Sequence, residues 1–229
     1  MDINTNNIYD LDKILDYNQE ELTRFFRFSA GLSNSNFGGN QAGTVGGEYN
    51  LKLQQIPEEY SAFLLFLRGL NKNSYLELGV GQGGSFLVNC LFQKTTKVFH
   101  AVDNCYYLQK HIEFFDQRSS ILQRIEEIKD FKENSDVKFF DKSTDDFFEN
   151  NNIKYDIIFI DADHDYKGAK KDYENSLDYL NDGGYVIFHD IANKSCGVKK
   201  LWDEIENSKK LYEFISGDKC GIGVLNIKN

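Results

Sequence analysis

Two short acidic stretches carry the chemistry this chain could perform. "IDADHDY" places Asp161, Asp163, His164 and Asp165 within five residues, and "FHDI" adds His189 and Asp190 further on. Each follows an apolar run that reads as a buried strand, so neighbouring parallel strands would bring Asp161, His189 and Asp190 to one rim. Crowded carboxylates repel, and a divalent cation relieves the repulsion. Hard oxygen ligands favour Mg²⁺ or Mn²⁺, while the imidazole of His189 tilts the preference toward Mn²⁺ or another transition metal. The expected metal ligands are therefore Asp161, His189 and Asp190. His164, three residues past Asp161, is placed to act as a general base, since imidazole titrates near neutrality. The plainer alternative is a set of solvated strand ends and a His–Asp hydrogen bond.

A second chemical feature is "YLELGVGQGGSF", residues 75–86, a strand running through a glycine turn into a helix. The glycines let the backbone approach a ligand, and the helix aims its first amides at it. Gly79, Gly81 and Gly84 satisfy G-x-G-x-x-G, the spacing of a nicotinamide-dinucleotide turn, but Gly79, Gly81 and Gly83 satisfy G-x-G-x-G equally. Glu77 separates the two. A carboxylate inside the strand is unwelcome beside a pyrophosphate and useful beside a cation such as the amino group of methionine. No Gly-Lys-Ser/Thr follows, which removes the P-loop. Asp103, at the end of the next strand, is placed to accept both hydroxyls of an adenosine ribose. Asp141 and Ser143, ending the third, could border an adenine, although Ser143 or Thr144 would equally make an ordinary helix N-cap.

The elements that must position these residues alternate. Strands are expected at 74–79, 97–103, 137–141, 155–161 and 184–190. Helices are expected at 56–70, 85–92, 119–133, 144–150, 166–180 (ended by Asp182-Gly183-Gly184) and 198–207. Residues 211–228 read as a closing hairpin. Such alternation predicts an α/β, doubly wound, mostly parallel Rossmann-like sheet ending in an antiparallel hairpin. Residues 1–70 add an N-terminal helical and lid extension of the same unit, with Leu11, Ile14, Leu15, Leu22, Phe25 and Phe26 at helical spacing. Within it, the Gly/Asn-rich stretch 31–50 is the expected lid. "GVKKLW" reads as a core stripe with solvated lysines.

Composition narrows the partners. The chain has 229 residues and a net charge of −10, which argues against a phosphate backbone as the main partner. Four scattered cysteines show neither a zinc spacing nor a disulfide framework and suit a reducing cytoplasm. No apolar run suggests a membrane span, and the first ten residues do not resemble a secretory signal. The expected partner is a small-molecule or sugar acceptor, with no nucleic acid and no membrane; homo-oligomerisation is left open.

Together these motifs resemble class I S-adenosylmethionine-dependent methyltransferases, whose first motif is an acid followed by G-x-G-x-G. Within that class, "ELGVGQGGSF", "IDADHDYKGAKKDYENSLDYLNDGGYVIFHDI" and "GVKKLWDEI" look most like the metal-dependent macrocin-type and cephalosporin-hydroxylase-like O-methyltransferases of natural-product and glycan pathways. The likeness spans roughly residues 38–227, with 71–229 as the cofactor-binding domain. The resemblance implies that Glu77, Gly79, Gly81 and Gly83 bind the methionine part of S-adenosylmethionine. It puts Asp103 on the ribose and Asp141 or Ser143 near the adenine. Asp161 and Asp190 would hold Mg²⁺ or Mn²⁺; Asp161 would also border the cofactor, and His164 would be the base. His189 departs from the family, which usually carries a carboxylate there. The implied reaction is methyl transfer to a hydroxyl.

Overall fold

The structure is a computed structural model that describes residues 5–30, 51–106 and 116–227. The expected lid at 31–50 lies outside the described residues. Seven strands form one sheet: β1 (Ser74–Leu78), β2 (Val98–Asp103), β3 (Asp136–Asp141), β4 (Tyr155–Ile160), β5 (Leu180–His189), β6 (Lys210–Phe214) and β7 (Ile222–Asn226). Their order is β3-β2-β1-β4-β5-β7-β6. The first five run parallel, and β7 pairs antiparallel with both β5 and β6. The chain reverses its winding between β1 and β4, and ligands of open parallel sheets bind beyond the strand ends at that point.

Side-chain parity decides which face each strand residue serves. Tyr75 and Glu77 point to one face and Leu76 and Leu78 to the other, all fully buried. The first face is covered by the N-terminal helices, by α2 (Pro57–Gly69), α3 (Gly84–Phe92) and α4 (Gln117–Phe131). Tyr60, Phe63, Leu67, Phe86 and Ile121 pack there against Phe99, Ile157 and Phe159. The second face is covered by α5 (Thr144–Asn150), α6 (Tyr166–Asp178) and α7 (Gly197–Glu204), through Phe147, Ala169, Tyr173, Leu201 and Trp202. α1 (Gln19–Arg24) opens with a capping box between Asn18 and Glu21, and α2 opens with Pro57 at its first turn, where a missing N–H costs nothing.

One boundary differs from the sequence expectation. Asp182-Gly183-Gly184 does not end a helix. α6 stops at Asp178, and these residues lie inside β5, where Gly183 has φ +69°. The β4–β5 register shifts between Tyr155 and Ile157, so the glycines absorb an irregularity in the ladder. The closing hairpin is pinned from α2: buried Glu59 accepts hydrogen bonds from the backbone of Ser216 (2.7 Å) and Gly221 (2.8 Å). All four cysteines are free thiols, and among the described residues no helix is long and apolar enough to cross a membrane.

Candidate active site

At the end of β1 the chain turns through Gly79 (φ +77°). A side chain there would meet the backbone oxygen of Asp161 at 2.3 Å and Ala162 Cα at 2.4 Å. The glycine turn thus lies directly against the chain leaving β4, and only glycine meets both the conformation and the approach. Gly79→Ala is expected to cost about 3 kcal/mol or more, read as a lower urea midpoint with an unchanged slope. Gly84, by contrast, is a packing residue, since a side chain there would strike the Leu51 carbonyl at 2.0 Å. That glycine was the main support for the dinucleotide alternative, and the structure gives it a different purpose.

Glu77 is completely buried beneath the turn. Ser85 donates to its Oε1 at 2.6 Å, Asn89 to its Oε2 at 3.1 Å, and the Tyr75 hydroxyl donates to the same oxygen. Tyr60 in turn donates to Asn89 Oδ1 at 2.9 Å. Burial pushes the carboxyl up from 4.5 to about 7, against the downward pull of those three donors. Sequence reasoning missed the donors, although parity places Tyr75 beside Glu77. Asn89, four residues after Ser85 on the apolar α3, was the readable signal of a buried polar partner.

Asp103 braces the turn from the end of β2. Its Oδ2 accepts from the backbone of Val80 (3.0 Å) and Gly81 (3.1 Å), and its Oδ1 from Cys105 (2.7 Å). Burial raises its pKa despite these bonds. Asp141, at the end of β3, pairs with Arg118. Ser143 is the N-cap of α5, its Oγ accepting from Asp146 N at 3.1 Å. Asp163 and Asp165 face away from the rim. Asp163 lies against Gly168, and Asp165 caps α6 through Lys167 and Gly168.

The rim itself is an interleaved set of carboxylates and imidazoles. The pairing Ile160↔Phe188 puts Asp161 beside His189. His189 Nδ1 lies 3.2 Å from Asp161 Oδ1 and 3.7 Å from Asp190 Oδ1. His164 Nε2 lies 3.5 Å from Asp161 Oδ1 and 3.6 Å from Asp190 Oδ2. Asp190 holds its carboxylate there from a left-handed backbone (φ +65°), a conformation that a non-glycine residue keeps only when its surroundings enforce it. Burial alone would raise Asp161, but the His189 charge and contact with His164 bring it down to about 2. Burial alone would lower His189, but Asp161 and Asp190 hold it well above the usual imidazole value. His164 is raised mainly by its contact with Asp161, and its side chain is 54% exposed.

Two thiols complete the rim, and sequence spacing gave no hint of either. Among the described residues, the three-residue sets whose ligand atoms lie within 4.8 Å of one another are His164–Asp190–Cys196 and His189–Asp190–Cys220; the expected ligand Asp161 belongs to neither. His189 Nε2 is buried without a hydrogen-bond partner among the described residues. This mixture of nitrogen, oxygen and sulfur donors fits a borderline ion better than the all-oxygen shell of Mg²⁺.

A profile of a family described as a methyltransferase domain matches residues 76–191, just over half the chain and the span from β1 past the His189–Asp190 rim. The solved structures of similar fold include the O-methyltransferase TomG from Streptomyces achromogenes, involved in tomaymycin synthesis and in complex with SAM. Its TM-score is 0.56 at 11% identity, covering 99% of this chain and 97% of that one. An O-methyltransferase from Bacillus cereus in complex with SAH gives 0.53 at 14% identity, covering 96% of each chain. An rRNA methylase from Streptococcus thermophilus gives 0.55 at 11% identity, covering 75% of this chain and 97% of that one. No curated protein sequence matches the chain. With its glycine turn, its strand order and the profile match, the chain belongs to the methyltransferase-domain family and has the fold of the class I S-adenosylmethionine-dependent methyltransferases.

Proposed function

We propose that this methyltransferase acts on a hydroxyl group of a small molecule or sugar. The observation that carries the reading is His164, a half-exposed imidazole held between two carboxylates on the loop that touches the glycine turn. The O-methyltransferases among the structural neighbours support the same choice. S-adenosylmethionine, when bound, supplies an electrophilic methyl group on a sulfonium. Glu77, Gly79, Gly81 and Gly83 would hold its methionine end, Asp103 its ribose, and Asp141 and Ser143 would border the adenine. Nε2 of His164 faces the carboxylates, which leaves Nδ1 to take the proton of the acceptor hydroxyl. Asp161 and Asp190 then stabilise the imidazolium.

A divalent cation belongs to this proposal. Asp161, His189 and Asp190 would hold it, and it would supply a Lewis acid that lowers the pKa of the acceptor hydroxyl. The four carboxylate–imidazole contacts, at 3.2–3.7 Å, are long for hydrogen bonds between charged partners. His189 and Asp190 also fall in one close ligand set with Cys220, which Asp161 does not join. The test is methyl transfer from labelled S-adenosylmethionine to a panel of sugars, polyols and catechols, before and after dialysis against EDTA. Chelation is expected to lower the rate by about tenfold or more, with Mn²⁺ restoring more than Mg²⁺. Full activity in EDTA would leave the imidazole–carboxylate pair acting alone. Transfer to none of these acceptors, with S-adenosylhomocysteine still bound, would overturn the hydroxyl reading.

A further inference from the structure

A surface cavity of about 460 Å³ opens beside the rim, lined by Lys194, Cys196, Lys199, Lys200, Asp203 and Glu204. On a chain whose net charge is −10, three lysines around one concavity at the edge of an active site are a local reversal of sign. Both lining acids are already engaged. Asp203 receives Lys199 at 2.6 Å, and Glu204 accepts the Tyr166 hydroxyl at 2.6 Å. Lys194 forms no ion pair among the described residues. Lys200 sits over the Tyr166 ring, 4.4 Å from its centre, which leaves its ammonium group without a carboxylate partner there. Three lysines against two carboxylates leave the lining with a net charge of +1.

Its distance from the chemistry is fixed by the backbone. Cys196 lines the cavity and also contacts Asp190 Oδ2, with its sulfur at 3.6 Å. The next residue, Gly197, donates to the His164 carbonyl at 2.7 Å. A side chain on Gly197 would strike Tyr166 N at 2.0 Å, so the lysine-bearing turn is pressed against the segment that carries His164. A group seated in this cavity would therefore lie next to the rim that carries His164 and Asp190.

We propose that this cavity binds an anionic group of the acceptor, a phosphate carried on the same small molecule whose hydroxyl is methylated. Two ammonium groups suit a multiply charged oxyanion better than a neutral ring, and they would fix the far end of the acceptor while its hydroxyl faces His164. This rests on the hydroxyl-methylation reading and adds the substrate class. The test uses the full chain with S-adenosylhomocysteine bound and titrates inorganic phosphate, with acetate as the singly charged comparison, into wild type and Lys194→Glu/Lys200→Glu. Phosphate is expected to bind wild type more tightly than acetate does, and about tenfold or more weaker in the double variant, with S-adenosylhomocysteine affinity unchanged. Equal phosphate binding by both proteins, or none by wild type, would overturn the anion site. Acetate binding as tightly as phosphate would overturn the choice of phosphate. A wild type that fails to bind S-adenosylhomocysteine would instead refute the methyltransferase reading itself.

Discussion

Glu77→Gln is expected to make the unliganded chain more stable at pH 8 while removing most of its affinity for S-adenosylhomocysteine. The two effects have one cause. Glu77 is fully buried and its carboxyl is pushed from 4.5 to about 7. A folded-state pKa above the unfolded value means that the fold prefers the protonated acid. Below pH 4.5 the residue carries no penalty, and between 4.5 and about 7 the penalty grows as the folded state resists ionisation. Above 7 it is fully present, at about 3 kcal/mol. Glutamine cannot ionise, so the variant should lose this slope and melt several degrees higher at pH 8, with little difference at pH 4.5. With the carbonyl of the new amide toward Tyr75 and Asn89 and its nitrogen toward Ser85, whose hydroxyl can rotate to accept, the hydrogen bonds around the side chain survive. Binding moves the other way. The wild-type carboxylate lies beneath the turn with a charge to offer the cationic methionine end. Its affinity for S-adenosylhomocysteine should rise between pH 6 and 8 as Glu77 ionises, and the variant should bind about a hundredfold more weakly at pH 8, without that pH dependence. Calorimetry across pH 6–8 on both proteins reads all three outcomes. Undiminished binding by the variant would make Glu77 a brace for the turn and nothing more.

The contrast between Glu77 and its donors also shows what a sequence can disclose. Apolar strands such as "YDIIFI", buried on both faces, and helices between them were legible because burial imposes a pattern on consecutive residues. So was the hairpin at the end. Strand-end residues could be grouped at one rim because parallel topology sends all carboxyl ends the same way. What could not be read depends on contacts between distant segments. Asp182-Gly183-Gly184 looks like a helix stop in isolation, and only its pairing beside Asp156 and Ile157 turns it into part of β5. The insertion of two imidazoles between Asp161 and Asp190 follows from the β4–β5 register and the turn at Asp190. Cys220 lies beside His189 on a hairpin loop that Glu59, on a helix far away in sequence, helps to hold.

His164→Ala is expected to lower kcat by about a hundred- to ten-thousandfold, the usual contribution of a positioned general base, with S-adenosylhomocysteine affinity unchanged. The choice of His164 over His189 is a matter of burial. His189 is 6% exposed and packed against two carboxylates, so removing it opens a buried gap beside them and endangers the fold. His164 is 54% exposed and stands on the loop before α6, so its loss should change the melting temperature by no more than a degree or two. A fall in rate can then be assigned to chemistry. A purely structural role and a base are told apart by rescue: an exposed gap in front of Asp161 and Asp190 can admit free imidazole, which should restore part of kcat in the variant and leave wild type unaffected. Asp161→Asn sharpens the assignment, because Asp161 contacts both imidazoles at 3.2 and 3.5 Å. It should lower kcat comparably, and added imidazole should fail to restore it. Had His164 served only to neutralise the rim, imidazole would be as ineffective in its absence as in that of Asp161. Recovery in the alanine variant alone would identify the imidazole ring as the group that takes the proton.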